Sequence, residues 1–215
     1  MRITHHPDDS TLLAHAAGRL NRAARVVLAT HLASCPQCRE TVRLCEAIGG
    51  ALLEALPPTP MAADSLAHAL ARLELPAVKP VNAPHPWMLA EGLPCPPSLR
   101  DFTPGRWRAM LPGISRIQLL PPNAGEGSLY LLRIAPGKRM PKHGHTAREL
   151  TCVLAGAYCD GLGEFGPGDL SEADAAHDHQ PVSAPGGDCI CLIASDAKLR
   201  FEGRVARLLQ PLAGV

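Results

Sequence analysis

Apolar residues recur at helical spacing along the first third of the chain and in short period-two runs along its second half, so the structural class changes partway. A first helix is expected over residues 8–17, with Asp8, Asp9 and Ser10 at its start, Leu12, Leu13, Ala16 and Ala17 as its apolar positions, and Gly18 as its stop. Asn21 is placed to cap a second helix that turns Val27, Leu28 and Leu32 inward. Pro36 suits the first turn of a third, running through Val42, Cys45, Ile48 and Leu52, with a bend or early end expected at Gly49-Gly50. A fourth helix over residues 62–75 sets Leu66, Leu70 and Leu73 at i, i+4 and i+7 and stops at Pro76. From about residue 100 the pattern predicts strands, chiefly 114–120, 128–135, 149–155 and 189–194, with Gly166-Pro167-Gly168-Asp169 as a turn between two of them.

The seam between the two patterns is rich in proline: Pro76, Pro80, Pro84, Pro86, Pro94, Pro96 and Pro97. A segment like this holds no helix and pairs with no inner strand, so it reads as a semi-extended linker. The expected organisation is therefore a helical domain over 1–75, a linker over 76–99 and a β-domain over 100–215, a multidomain α + β chain. Its 215 residues suffice for two small domains. A formal net charge of +1 gives no field to steer the protein to nucleic acid or an anionic membrane. Residues 1–75 balance seven Arg against seven Asp or Glu, without the basic stripe that direct DNA binding needs. With a polar start and no apolar run of spanning length, the chain is read as cytoplasmic, with no membrane partner.

In the β-domain the candidate chemistry is Gly137, His143-Gly144-His145, Glu149 and Gly156. Histidines two apart on a strand point to one face, and two imidazoles with a carboxylate make a metal site with room for a fourth ligand. The spacing G-x5-H-x-H-x3-E-x6-G resembles the first motif of the cupin superfamily, which implies an antiparallel β-barrel (jelly roll). The bland alternative is a cupin-like barrel whose histidines bind nothing. The second cupin motif is degenerate: Gly168 and His179 are present, but Asp174, Ala176 and Ser183 stand where Pro, Gly and Asn are usual. The fourth ligand is open between His177 and His179, two residues apart on one face. His143, His145 and Glu149 with His179 or His177 suit Zn, Mn, Fe or Ni alike by ligand softness.

A second cluster is His31-x3-Cys35-x2-Cys38, across the junction of the second and third helices. Two thiolates and an imidazole can grip Zn²⁺, with a fourth ligand from His5, His6 or His15. Alternatively, Cys35 and Cys38 form a redox dithiol, favoured by a helix N-terminus. Cys45, by its spacing, belongs to the core. Cys189 and Cys191 share one face of a strand, opposite Ile190 and Leu192, as a buried pair or as oxidisable thiols. Cys95 is expected to be the most exposed thiol, and Trp107 a core anchor.

The H-x3-C-x2-C pattern with an early histidine resembles the zinc-containing anti-sigma factors. With a proline-rich linker and a cupin-like domain behind it, nearly the whole chain resembles the ChrR-type anti-sigma factors. That resemblance implies His6 as the early ligand and, because the family's barrel ligand stands in an acidic-His-x-Pro setting like Asp178-His179-Gln180-Pro181, His179 as the fourth barrel ligand. Zinc is implied in the helical domain, and zinc or another divalent metal in the cupin-like one. It implies a non-enzymatic function: sequestering an alternative sigma factor of the extracytoplasmic-function type, partly through Leu66, Leu70 and Leu73. It also implies release of that sigma factor on oxidative stress, by singlet oxygen or organic peroxide. Two other readings stay open: a metal-dependent cupin dioxygenase or isomerase with a helical appendage, and a switch in which Cys35 and Cys38 form a disulfide and release zinc.

Overall fold

The computed structural model describes residues 3–75, 88–90, 93–103, 105–123, 125–196 and 200–201. Four helices open the chain: α1 (Asp9–Ala16), α2 (Arg22–Ser34), α3 (Pro36–Glu54) and α4 (Ser65–Leu73). The Asn21 side chain accepts from Ala24 N at 2.9 Å and so caps α2, while Pro36 occupies the first turn of α3.

Two expectations for α3 fail. The helix does not end early but continues through Gly49-Gly50 to Glu54. Two glycines cost about 1 kcal/mol each relative to alanine, and the Ala, Ile and Leu around them hold the helix. Nor does its apolar stripe stay inside, because Val42 is buried but Ile48 and Leu52 are exposed. Only the first half of α3 carries buried residues, Cys38 and Val42, and beyond Cys45 each residue to Glu54 is exposed. Cys45, expected in the core, is only half-buried.

The β-part comprises β1 (Met88–Ala90), β2 (Leu93–Pro94), β3 (Arg108–Leu111), β4 (Ile114–Asn123), β5 (Gly127–Ile134), β6 (His143–Gly144) and β7 (Glu149–Ala155). It continues with β8 (Tyr158–Asp160), β9 (Gly163–Phe165), β10 (Leu170–Ala173), β11 (Asp178–His179), β12 (Val182–Ser183), β13 (Cys189–Ser195) and β14 (Arg200–Phe201). The main sheet is antiparallel with order β10-β7-β13-β5-β4-β3, and it is faced by the small sheets β11-β6-β14 and β12-β8-β9. This is the cupin-like antiparallel architecture.

Within the segment read as a linker, Pro76, Pro80, Pro84 and Pro86 lie outside the described residues. Its later part is packed: β1 and β2 pair with each other, and Leu89 and Leu99 are buried.

The two faces of the main sheet belong to different cores. Tyr130, Leu132, Ile134, Val153, Cys191 and Ile193 line the barrel interior with Met140, Tyr158 and Phe165. Leu129, Leu131, Leu150, Cys152, Ile190 and Leu192 point the other way, where Ala23, Ala24, Val27 and Leu28 of α2 cover them. Every residue of β13 is buried in consequence. The unbroken apolar run from Cys189 to Ala194 signalled this, since a strand with one wet face shows alternation.

Candidate metal centres

At the first centre, α2 ends where Pro36 starts α3, and the short junction brings His31, Cys35 and Cys38 together around the capping turn. His6 approaches from the extended N-terminal segment, and the four ligand atoms lie within 4.8 Å of one another. The His6 Nδ1 atom is 3.4 Å from Cys35 Sγ and 3.3 Å from Cys38 Sγ, and His31 Nε2 is 3.3 Å from Cys38 Sγ. A tetrahedral cation bound at 2.0–2.3 Å sets its ligand atoms about 3.3–3.8 Å apart, so the spacing fits. His31, Cys35 and Cys38 are buried, and His31 uses its other nitrogen, Nδ1, to donate to the Gly168 carbonyl at 2.7 Å. That bond fixes the tautomer with the Nε2 lone pair facing the sulfurs.

Burial pushes the Cys38 thiol up to about 12, with the Cys35 sulfur adding to the effect, and burial lowers the pKa of His31. A pair of thiolates there needs a cation between them. Of the other early histidines, His5 stacks on Phe165 with ring centroids 4.1 Å apart, and His15 stays outside the cluster.

At the second centre, β6 and the turn after it supply His143 and His145, β7 supplies Glu149, and β11 supplies His179 opposite His143 in register. Their ligand atoms again converge within 4.8 Å. The His179 Nε2 atom lies 3.1 Å from the Nε2 atoms of both His143 and His145. His143 Nδ1 donates to the Pro141 carbonyl at 2.8 Å and His179 Nδ1 to the Asp160 carboxylate at 2.9 Å. Both bonds leave the Nε2 lone pairs pointing at one spot, an arrangement that a cation stabilises and an empty space does not.

Glu149 is buried, and its Oε2 has no hydrogen-bond partner, an orphaned acceptor facing the three imidazoles. Burial raises the Glu149 carboxyl to about 7, against lowering contributions from His179, Tyr130 and Thr151. Burial and the neighbouring imidazoles lower His145 to about 4, and His143 is lowered chiefly by burial. The donor set fits a divalent cation, while three nitrogens and an oxygen do not choose among metals.

His177 is left outside. It is half-exposed and its Nδ1 is held by Asp174 at 2.8 Å. A register one residue pair away from His179 places it beyond the end of β11.

Asp160 escaped the sequence reading. Nothing marks it, because its partner His179 is 19 residues away and the pairing of β12 with β8 brings their segments together. Beside the cluster is a cavity of about 50 Å³ lined by Tyr130, Leu132, Met140, Tyr158, Cys191 and Ile193 along with three of the four clustered residues.

Cys189 and Cys191 lie side by side as expected, Sγ to Sγ 3.6 Å and both buried. Cys159, not Cys95, is the exposed thiol, since Cys95 packs against the core while Cys159 faces out between buried Tyr158 and the β8 end. Trp107 is half-buried with Arg133 over its ring at 4.9 Å.

Leu66, Leu70 and Leu73 are 70%, 55% and 78% exposed, and α4 buries none of its residues. With Leu44, Ile48, Leu52, Leu53 and Leu56 of α3 and the segment after it also exposed, the helical part presents apolar side chains that nothing among the described residues covers. Among the described residues, no helix is long and apolar enough to cross a membrane.

Residues 98–198 match the family described as the ChrR Cupin-like domain. The chain is 39% identical over 98% of its length, and 98% of the relative's, to the Anti-sigma-E factor ChrR of Cereibacter sphaeroides. A crystal structure of Rhodobacter sphaeroides SigE in complex with the anti-sigma ChrR contains a chain that is 37% identical, with a TM-score of 0.75. The match covers 91% of this chain and 100% of that one.

Proposed function

The chain belongs to the family of ChrR-type anti-sigma factors, and from that premise we propose that it sequesters an alternative sigma factor of the extracytoplasmic-function type and frees it on oxidative stress. The observation that carries this reading is the uncovered apolar surface of α3 and α4. Leu66, Leu70 and Leu73 on α4, and Leu44, Ile48 and Leu52 at i, i+4, i+8 on α3, are all more than half exposed. Such stripes mark a partner site on a protein of this size. The sigma factor binds there, and covering it blocks its access to RNA polymerase.

Zinc belongs in the helical centre. Bound there, it supplies the cross-link between the N-terminal segment and the α2–α3 junction, holding His6, His31, Cys35 and Cys38 in one geometry. His31 is oriented for this by Gly168 and the two sulfurs by the α3 N-terminal turn. The barrel centre, with zinc or another divalent cation on His143, His145, Glu149 and His179, is the sensor. Buried thiol, imidazole and carboxylate groups change hydrogen bonding and charge when oxidised or displaced, and a barrel with its own core carries that change without unfolding.

An enzymatic reading takes its support from the cavity beside the barrel ligands. At about 50 Å³ it has room for a few waters and is far below the roughly 300–1,000 Å³ of a small-molecule pocket. A sensor site that admits a small oxidant fits this volume better than a site for a bulky substrate. The protein works in the cytoplasm, where its sigma partner operates, and it needs no direct contact with DNA.

The test is binding of the full chain to an extracytoplasmic-function sigma factor of the same organism, read by size-exclusion chromatography and by transcription from holoenzyme. The expected result is a one-to-one complex that silences transcription, with Leu70→Glu weakening it by about 30-fold or more, as for a central anchor. A chain that stays free beside each such sigma factor would overturn the proposal.

A further inference from the structure

The helical centre is held from outside by the β-part. The Asp169 carboxylate is 4% exposed, and its Oδ1 accepts from Thr4 N at 2.7 Å and His5 N at 3.0 Å, while Oδ2 accepts from Gly166 N at 2.8 Å within the turn itself. The next residue, Leu170, donates its N–H to the His5 carbonyl at 3.2 Å. Gly168 accepts from His31 Nδ1. Its φ of +91° favours glycine, and a Cβ there would lie 2.9 Å from the Ile3 side chain, so the turn sits close against the N-terminal segment. Phe165, just before the turn, carries the His5 ring. One turn, residues 166–170, therefore grips both peptides that deliver imidazoles to the centre. It pins residues 4 and 5 next to His6, and it orients His31.

The same turn leads into β10, whose Ala173 pairs with Glu149 of the barrel centre. The β7–β10 ladder thus spans the distance between the two clusters.

We infer that the turn of residues 166–170 is the outer shell of the helical metal centre, with Asp169 as its positioning residue, so that the centre holds its metal tightly only while the helical and β-parts are docked. Asp169 touches no ligand atom. It acts through the peptide of residues 4–5, which sets where His6 stands, and its neighbour Gly168 acts on His31. Outer-shell groups of this kind change metal affinity by about 10- to 100-fold. The inference rests on metal binding at His6, His31, Cys35 and Cys38 proposed above.

The full chain loaded with Co²⁺ gives a test that reads one centre only. Thiolate-to-cobalt charge transfer in the near ultraviolet arises from Cys35 and Cys38, and the barrel cluster has no thiolate. Loss of that band after adding excess EDTA measures release. Asp169→Ala is expected to accelerate release by about tenfold or more and to shift the band, with Asp169→Asn, which keeps one acceptor oxygen, in between. Thr11→Val breaks the 2.7 Å bond from Thr11 to Glu172 in the same interface but leaves the ligand peptides alone, so its rate should stay within about twofold of the parent.

An unchanged rate in Asp169→Ala, or an equal acceleration in Thr11→Val, overturns the inference. If Asp169→Ala does not fold, Asp169→Asn decides: a parental rate and band again overturn it. Absence of the charge-transfer band from the parent chain is a different failure, that of metal binding at the helical cluster itself.

Discussion

The two ligand clusters use the same number of side chains and differ in what surrounds them. The helical one has two thiols, sits at a helix junction, and is closed by residues from two remote segments, with His31, Cys35 and Cys38 all buried. The barrel one has three imidazoles and a carboxylate on strands of a rigid sheet, an orphaned Glu149 oxygen, and a cavity at its side. The contrast is what the proposed roles rest on. A closed thiolate site at the hinge of small helices is part of the fold, and an open site inside a barrel that folds around its own core can respond to small molecules without collapsing the molecule.

The largest expected effect separates the clusters at once. Cys38→Ala should empty the helical centre of zinc and melt α1–α3, since structural zinc is worth on the order of 10 kcal/mol in small domains. Zinc content and far-ultraviolet circular dichroism check this. His143→Ala should leave that helical signal and sigma binding intact. Equal damage from both would erase the distinction.

Next in size is the contact between the two parts. Leu28 is fully buried between α2 and the sheet. Leu28→Ala should cost about 2–5 kcal/mol in chemical denaturation, and a single shared transition should show that the parts unfold together.

A smaller effect concerns the barrel's outer shell. Asp160→Asn keeps the size but withdraws the charge that orients His179, and barrel metal affinity should fall about 10- to 100-fold by competition titration. Affinity at the thiolate centre should not move.

The smallest effect is that of pH. Burial raises Glu149 to about 7, so the free carboxyl carries a proton below that pH which a cation must displace, while His145, lowered to about 4, stays neutral. Barrel affinity should therefore fall by about tenfold per pH unit from 7 down to 5.5 and level off above 7. Glu149→Gln should bind more weakly and lose that slope, which calorimetry at two pH values reads.

Much of this was legible in the sequence for a physical reason: three ligands of each cluster lie at local spacing, while His6 and the choice of His179 follow from the family resemblance. H-x-H on one strand face, H-x3-C-x2-C across a helix junction, and strand 149–155 with its alternation follow from periods of 2 and 3.6. What failed depended on partners. Ile48 and Leu52 look like core on α3, and only the place where neighbouring helices end shows that they are not. Gly49-Gly50 reads as a break when taken alone, yet a long helix tolerates it. Cys95 and Cys159 exchange places because packing against the core, rather than proximity to prolines, decides exposure. Asp160 and Asp169 could not be found at all, since each meets its partner across 19 or more residues of chain. The helical and β-parts were read as units joined by a linker, and the cover that α2 gives the sheet was hidden although the two-sided burial of β13 pointed to it.

The most direct test of the account is sigma release from the purified complex of the full chain, exposed to an organic hydroperoxide or to photogenerated singlet oxygen, with Glu149→Ala beside the parent. The parent is expected to release its sigma factor, and Glu149→Ala to bind normally but hold on. Release from Glu149→Ala at the parental rate would contradict this, and sensing would then belong to the thiolates of the helical centre.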